Sequence, residues 1–269
     1  MNGLEIPAQF LMVYCLLYLR FVGMMFTFPL FFTSATPIPF RFLFITLLTA
    51  ASMGTMTDAA LTTLGMSAVS LFLFESWITV FFMAMRELFI GMAIGILASL
   101  PLVALQVSGE LISMAMGFSM ASVMDPLTQR QSSIVGQLQF LVGLWFYFKW
   151  NGHLLLVQAI VESFKLIPLA KMSWIPMGDM SLGNWFAGAF SLSIRIVVPY
   201  YCALLLADVG LGFLARTVPQ MNVFILGLPI KIALGLFVLA VALPMTVEVI
   251  YRQLEQWIEF ALRSSMVWL

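Results

Sequence analysis

The chain has 269 residues, of which 62% are apolar and only 9% charged, with 12 basic and 12 acidic side chains and no net charge. An ordinary soluble domain carries about 25% charged residues, so this chain cannot dress an aqueous surface, and lipid or partner protein must cover much of its exterior. A mean hydropathy of +1.07 agrees. Zero net charge leaves no basic footprint for nucleic acid.

Spanning a bilayer takes roughly 20 apolar residues in a helix. The N-terminus lacks a basic region, carries Glu5 and enters a long apolar stretch without a small-residue cleavage site. That first segment is therefore expected to stay in the mature protein. Apolar runs fall at Phe10–Leu30, Phe40–Met56, Ala68–Met85, Leu88–Val107, Ile134–Phe148, Trp185–Leu206 and Val223–Val247. Breaks are expected at Pro37 and Pro39, around Asp58, and over Glu110–Gln131, Lys165–Gly183 and Arg216–Asn222. The fold class predicted is all-α, a polytopic membrane protein of six or seven segments.

These segments are not plain lipid-facing spans. Arg20, Arg86, Glu87, Arg195, Asp208 and Lys231 sit in or beside apolar runs, where an unpaired charge is costly. Pro29, Pro101, Pro199, Pro229 and Pro244 punctuate the runs, and each removes a backbone donor and favours a kink. Neighbouring protein or a watery cavity makes such features tolerable. Gly91 and Gly95 form a GxxxG pattern suited to close helix approach. Cys15 and Cys202 lie in apolar runs and are expected to act as small buried hydrophobes, not as a disulfide or metal site.

At the C-terminal end Glu248, Arg252, Glu255, Glu259 and Arg263 trace one stripe, while Ile250, Leu254, Trp257, Ile258, Ala261 and Leu262 lie on another face. An amphipathic helix follows, with i,i+4 pairs such as Glu248 with Arg252. Its charged stripe is either a solvated face at a membrane edge or a docking surface.

Catalytic sets are missing from the sequence, and no enzyme activity or cofactor is expected. The lone His153 cannot build a histidine-rich metal site and, after Asn151-Gly152, reads as a loop or interfacial residue. Neither a GxSxG elbow nor a phosphate loop occurs. Asp208 could relay protons, but a single carboxylate favours an ion pair or a capped helix break beside Gly210 and Gly212.

The stretch Gly109 to Pro126 reads GELISMAMGFSMASVMDP. Met114, Met116, Met120 and Met124 conform readily to irregular surfaces. Gly117 opens backbone geometries closed to other residues, and Asp125-Pro126 favours a turn. Composition fits both a methionine-rich core edge and a deformable plug.

This segment, with Gly109-Glu110-Leu111-Ile112, Met116-Gly117-Phe118-Ser119 and Asp125-Pro126, resembles the central motif of the FliR/SctT family. Val218-Pro219-Gln220-Met221-Asn222-Val223-Phe224, continuing through Gly227-Leu228-Pro229-Ile230-Lys231, resembles a second family block, and Arg86-Glu87 leading to Gly91 and Gly95 a third. The order of blocks matches over nearly the whole chain. Ala115 departs from the pattern, since many members carry glutamine there.

The resemblance implies a non-enzymatic subunit of the type III export gate. Such subunits assemble with FliP- and FliQ-type subunits into a helical channel for unfolded substrates, with a FlhB-type subunit associated. It implies residence in the bacterial inner membrane and the flagellar basal body, with the core raised towards the periplasm. It also implies a FliP-like part at 1–183 and a FliQ-like part at 184–269. Met114, Met116, Gly117, Phe118, Ser119, Met120, Met124, Asp125 and Pro126 would form the channel plug. Arg20, Arg86, Glu87, Asp208 and Lys231 would find partners in packing, including in neighbouring subunits. Pro219, Gln220, Asn222, Phe224, Gly227, Pro229 and Lys231 carry the signature. A virulence-type (injectisome) export component is the alternative. A secondary transporter of small solutes is a weaker one, because no internal repeat is found.

Overall fold

The computed structural model describes residues 5–29, 37–54, 77–118, 133–166, 182–218 and 223–266. Seven helices run through them: α1 (Glu5–Thr27), α2 (Ile38–Gly54), α3 (Trp77–Met116), α4 (Ile134–Lys149), α5 (Gly152–Leu166), α6 (Leu182–Thr217) and α7 (Val223–Met266). Strands are absent among the described residues. With so few polar side chains available as partners, the backbone satisfies its own donors and acceptors, and helices do that within one segment.

Three stretches, 80–116, 183–217 and 227–250, are long and apolar enough to cross a membrane. The all-α membrane class predicted above therefore holds. Several boundaries differ from expectation. The runs read as Ala68–Met85 and Leu88–Val107 meet in one 40-residue helix, α3, which continues through Arg86-Glu87 and past Glu110. Charge does not break a helix when its side chain can turn inward to a partner, as Glu87 does. Likewise α7 runs 44 residues through Pro229 and Pro244, joining the last apolar run to the amphipathic end. Its backbone is helical to Met266, while the charged stripe beyond Arg252 lies outside the described side chains.

Helix α5 was not foreseen. Asn151 adopts φ 57°, a left-handed conformation that asparagine tolerates, and its carbonyl accepts the Leu154 amide at 2.9 Å. This starts a new helix only two residues after α4, so His153 is an exposed residue of the first turn of α5 rather than of a loop. The α4 start is conventional: the Ser133 hydroxyl accepts the Gly136 amide at 2.8 Å, as an N-cap should.

The chain divides into two compact units. One comprises residues 1–99, 151–180 and 256–269, the other 100–150 and 181–255. In the first, Val13, Leu17, Phe21, Met25, Ile90 and Ile160 form a buried core. In the second, Leu102, Leu105, Ile112, Leu192, Ile196 and Tyr200 do so. Cys15 and Cys202 are both exposed in this chain, contrary to the expectation of burial. Their helices turn that face outward, to whatever covers the apolar exterior.

Candidate functional site

Within the first unit α1 and α3 cross at glycines. A methyl at Gly23 would strike the Leu88 carbonyl and lie 3.0 Å from the Met92 amide nitrogen. One at Gly91 would strike the Arg20 carbonyl, and one at Gly95 would lie 2.6 Å from that of Met24. Backbone contact this close brings a short-range polar arrangement within reach. The Arg20 Nε donates to Glu87 Oε2 at 2.7 Å and its Nη2 meets the same oxygen. Nη1 donates to Ser163 Oγ of α5 at 2.8 Å, and the guanidinium lies 3.9 Å over the Phe164 ring. Both charged side chains are sealed from solvent. Arg20 and Glu87 thus satisfy each other inside the chain, as a buried charged pair between packed helices. Arg86, next along α3, is half-buried. Ser163 and Phe164 had no signal in the sequence, because nothing there tells which serine meets a buried arginine.

The second unit treats its charges differently. Lys231 of α7 pairs with Asp208 of α6, and the two side chains remain 26% and 51% exposed. The ion-pair expectation for Asp208 is met, but no helix break accompanies it, since α6 continues through Gly210 and Gly212. Arg195, also on α6, is exposed. Polar contacts elsewhere in this unit bind helix to helix. Ser108 Oγ donates to Gln139 Oε1 at 2.8 Å, Ser193 Oγ to the Ala104 carbonyl at 3.0 Å, and the Tyr200 and Thr246 hydroxyls share a 3.2 Å bond. A cavity of about 10 Å³ borders Gln139, Tyr200 and Thr246, room for about one water.

The methionine segment begins where α3 ends. The Gly117 amide donates to the Met114 carbonyl at 3.0 Å and the Phe118 amide to that of Ser113 at 3.1 Å. With Gly117 at φ 89°, this is a Schellman C-cap, and it requires the glycine. Met114 is 60% exposed, whereas Met116 is fully buried. Phe118 is half-buried. Ser119, Met120, Met124, Asp125 and Pro126 lie outside the described residues, as do Pro219, Gln220 and Asn222 of the signature. Phe224 is placed in α7 by its backbone alone. Gly227 is buried, with a methyl there 3.2 Å from Leu211 Cδ1, and Pro229 is an exposed residue inside α7.

Among the described residues no group of three or more His, Cys, Asp or Glu side chains could hold a metal ion. Polar side chains here join helices. Fold and arrangement define an all-α membrane protein whose buried polar groups serve helix packing. The profile of the bacterial export proteins, family 1, matches residues 11–257, and the chain belongs to that family. It is similar to the "Flagellar biosynthetic protein FliR" of Bacillus subtilis, 36% identical over 165 residues. That match spans 60% of this chain and 63% of the relative's length. The protein of the same name from Aquifex aeolicus is 27% identical over 237 residues, covering 88% of this chain and 87% of the relative. The "Yop proteins translocation protein T" of Yersinia pestis is 29% identical over 160 residues, 58% of this chain and 60% of the relative.

Proposed function

We propose that the chain is a pore-forming subunit of the flagellar type III protein-export gate. In this reading it joins FliP- and FliQ-type subunits in the channel that passes unfolded flagellar proteins across the bacterial inner membrane, with a FlhB-type subunit alongside. The observation that carries it is the family match over residues 11–257, together with flagellar relatives of which one aligns along 88% of the chain. The half-exposed Asp208–Lys231 pair on two apolar helices supports it too. Lipid tails solvate such a pair poorly, and a neighbouring subunit would cover it. The parts 1–183 and 184–269 would correspond to FliP-like and FliQ-like halves.

The segment after the α3 cap, with Met114 and Phe118 at its root, would be the plug that closes the channel at rest. Shortening Met114–Met120 is expected to leak small ions across the membrane while the complex still assembles. Normal membrane tightness in an assembled complex overturns the plug. Tagged full-length chain should co-purify with FliP- and FliQ-type subunits, and failure to do so overturns the gate reading.

The similarity to the Yersinia protein supports a second reading, a subunit of the virulence-type apparatus. Restoring motility to a flagellar strain that lacks its own counterpart favours the flagellar reading, and restoring only virulence-type secretion the other.

A further inference from the structure

The methionines at the end of α3 share a motif but not an environment. Met114 points outward, and Met116, two residues on, has no exposed surface. The Met116 side chain lies on Gly235 of α7. A methyl group built at 235 would overlap Met116 Cε and stand 2.7 Å from its Cγ and 3.0 Å from its Sδ. Two turns earlier on the same face of α7, Leu228 lies 3.8 Å from where a Gly117 side chain would begin. The cap and the residue before it therefore both rest on one face of α7, within one of the two compact units.

Glycine inside a helix costs about 1 kcal/mol relative to alanine. At Gly235 the close approach of Met116 supplies the reason for it. Methionine suits the other side, because an unbranched thioether follows the contour of a bare helix backbone. Gly117 then adopts its left-handed turn immediately after this contact.

We propose that Met116 is a positioning residue that docks the last turn of α3 into the Gly235 notch of α7. The contact fixes the point and direction in which the chain leaves α3 at Gly117. Its consequence for membrane tightness rests on the gate reading; the anchor itself is a property of this chain.

Two measurements on the full-length chain in its native membrane test this. First, Met116→Cys with Gly235→Cys is made in a chain whose Cys15 and Cys202 are replaced by serine. A cysteine sulfur at 116 takes the place of Met116 Cγ, 2.7 Å from the Cβ at 235. In a disulfide, bond lengths set that spacing at about 3 Å. Oxidation should give a crosslinked band of altered mobility, and its absence overturns the anchor.

Second, ion leakage is compared across Gly235→Ala, Met116→Ala and the double variant, at equal amounts of assembled complex. Gly235→Ala should raise leakage in the parent, because the new methyl displaces Met116. In the Met116→Ala background the three atoms nearest the new methyl, all beyond the Cβ of Met116, are gone, and the methyl should add nothing. A packing defect unrelated to Met116 would add equally in both backgrounds, and that result overturns the proposal. A crosslink in the 116/235 cysteine pair, together with normal membrane tightness in a separate chain whose Met114–Met120 segment is shortened, upholds the anchor and overturns the plug.

Discussion

The charged residues of the first unit and those of the second solve the same problem in opposite ways. Arg20 and Glu87 are wrapped by three helices, with a serine and an aromatic ring completing the guanidinium's surroundings. Asp208 and Lys231 meet across two apolar helices and keep much of their surface open. In the helices that carry the open pair, only 22% of the most apolar window of α6 and 17% of that of α7 is buried within the chain. One region completes its own interior, and the other offers an apolar face with a charged pair set in it. Any cover for that face must supply polar groups, which acyl chains lack.

Breaking the enclosed pair should give the largest effect. Glu87→Ala leaves the Arg20 guanidinium buried beside Ser163 and Phe164 with its countercharge gone. Stranding one member of a buried pair costs about 3–5 kcal/mol, so the full chain purified in detergent should unfold at a much lower temperature. Adding Arg20→Met removes the stranded charge and should recover most of the loss, since a well-packed apolar replacement of a buried pair is often neutral. A small drop for Glu87→Ala alone would mean that the enclosed site is no more demanding than the open one.

The glycines sharpen the contrast at the next level. A methyl at Gly91 runs into the Arg20 carbonyl, part of a backbone that cannot step aside. Gly91→Ala should cost about 1–3 kcal/mol through overpacking. Gly210 and Gly212 have nothing within 4 Å of an added methyl, and alanine there should cost the isolated chain nothing. Equal losses at 91 and 210 in thermal unfolding would erase the distinction between a packed and an open helix face.

Much of this was legible in the residues. Apolar runs gave the helical membrane class, and GxxxG at Gly91 and Gly95 marked the close crossing, because glycine spacing on a helix is a local property. The Arg20–Glu87 pairing was not readable: 67 positions separate the two, and composition predicts the need for a partner without saying which. Helix α5 was missed for a related reason. Asn151-Gly152 looks like a loop, yet here it turns the chain between two helices. In the methionine segment the residue types were visible but not their directions. Helical phase sets Met114 and Met116 on opposite faces, and only the packing against α7 shows that Met116 is the inward one and meets a glycine.

The smallest effect on stability is expected at the open pair, and there the assay decides what is seen. Asp208→Asn removes one charge from a bridge that is partly exposed on both sides. Bridges of this kind contribute about 0–1 kcal/mol, so the isolated chain in detergent should unfold at nearly the same temperature. If a neighbouring subunit covers this face, the lone Lys231 becomes buried on assembly and its desolvation is no longer offset. The variant should then lose co-purifying partner subunits while retaining its own fold. Charge exchange, Asp208→Lys with Lys231→Asp, keeps the pair and should keep the partners better than the single change. Equal partner recovery from Asp208→Asn and the parent chain would place the pair in a watery lining, outside any subunit contact.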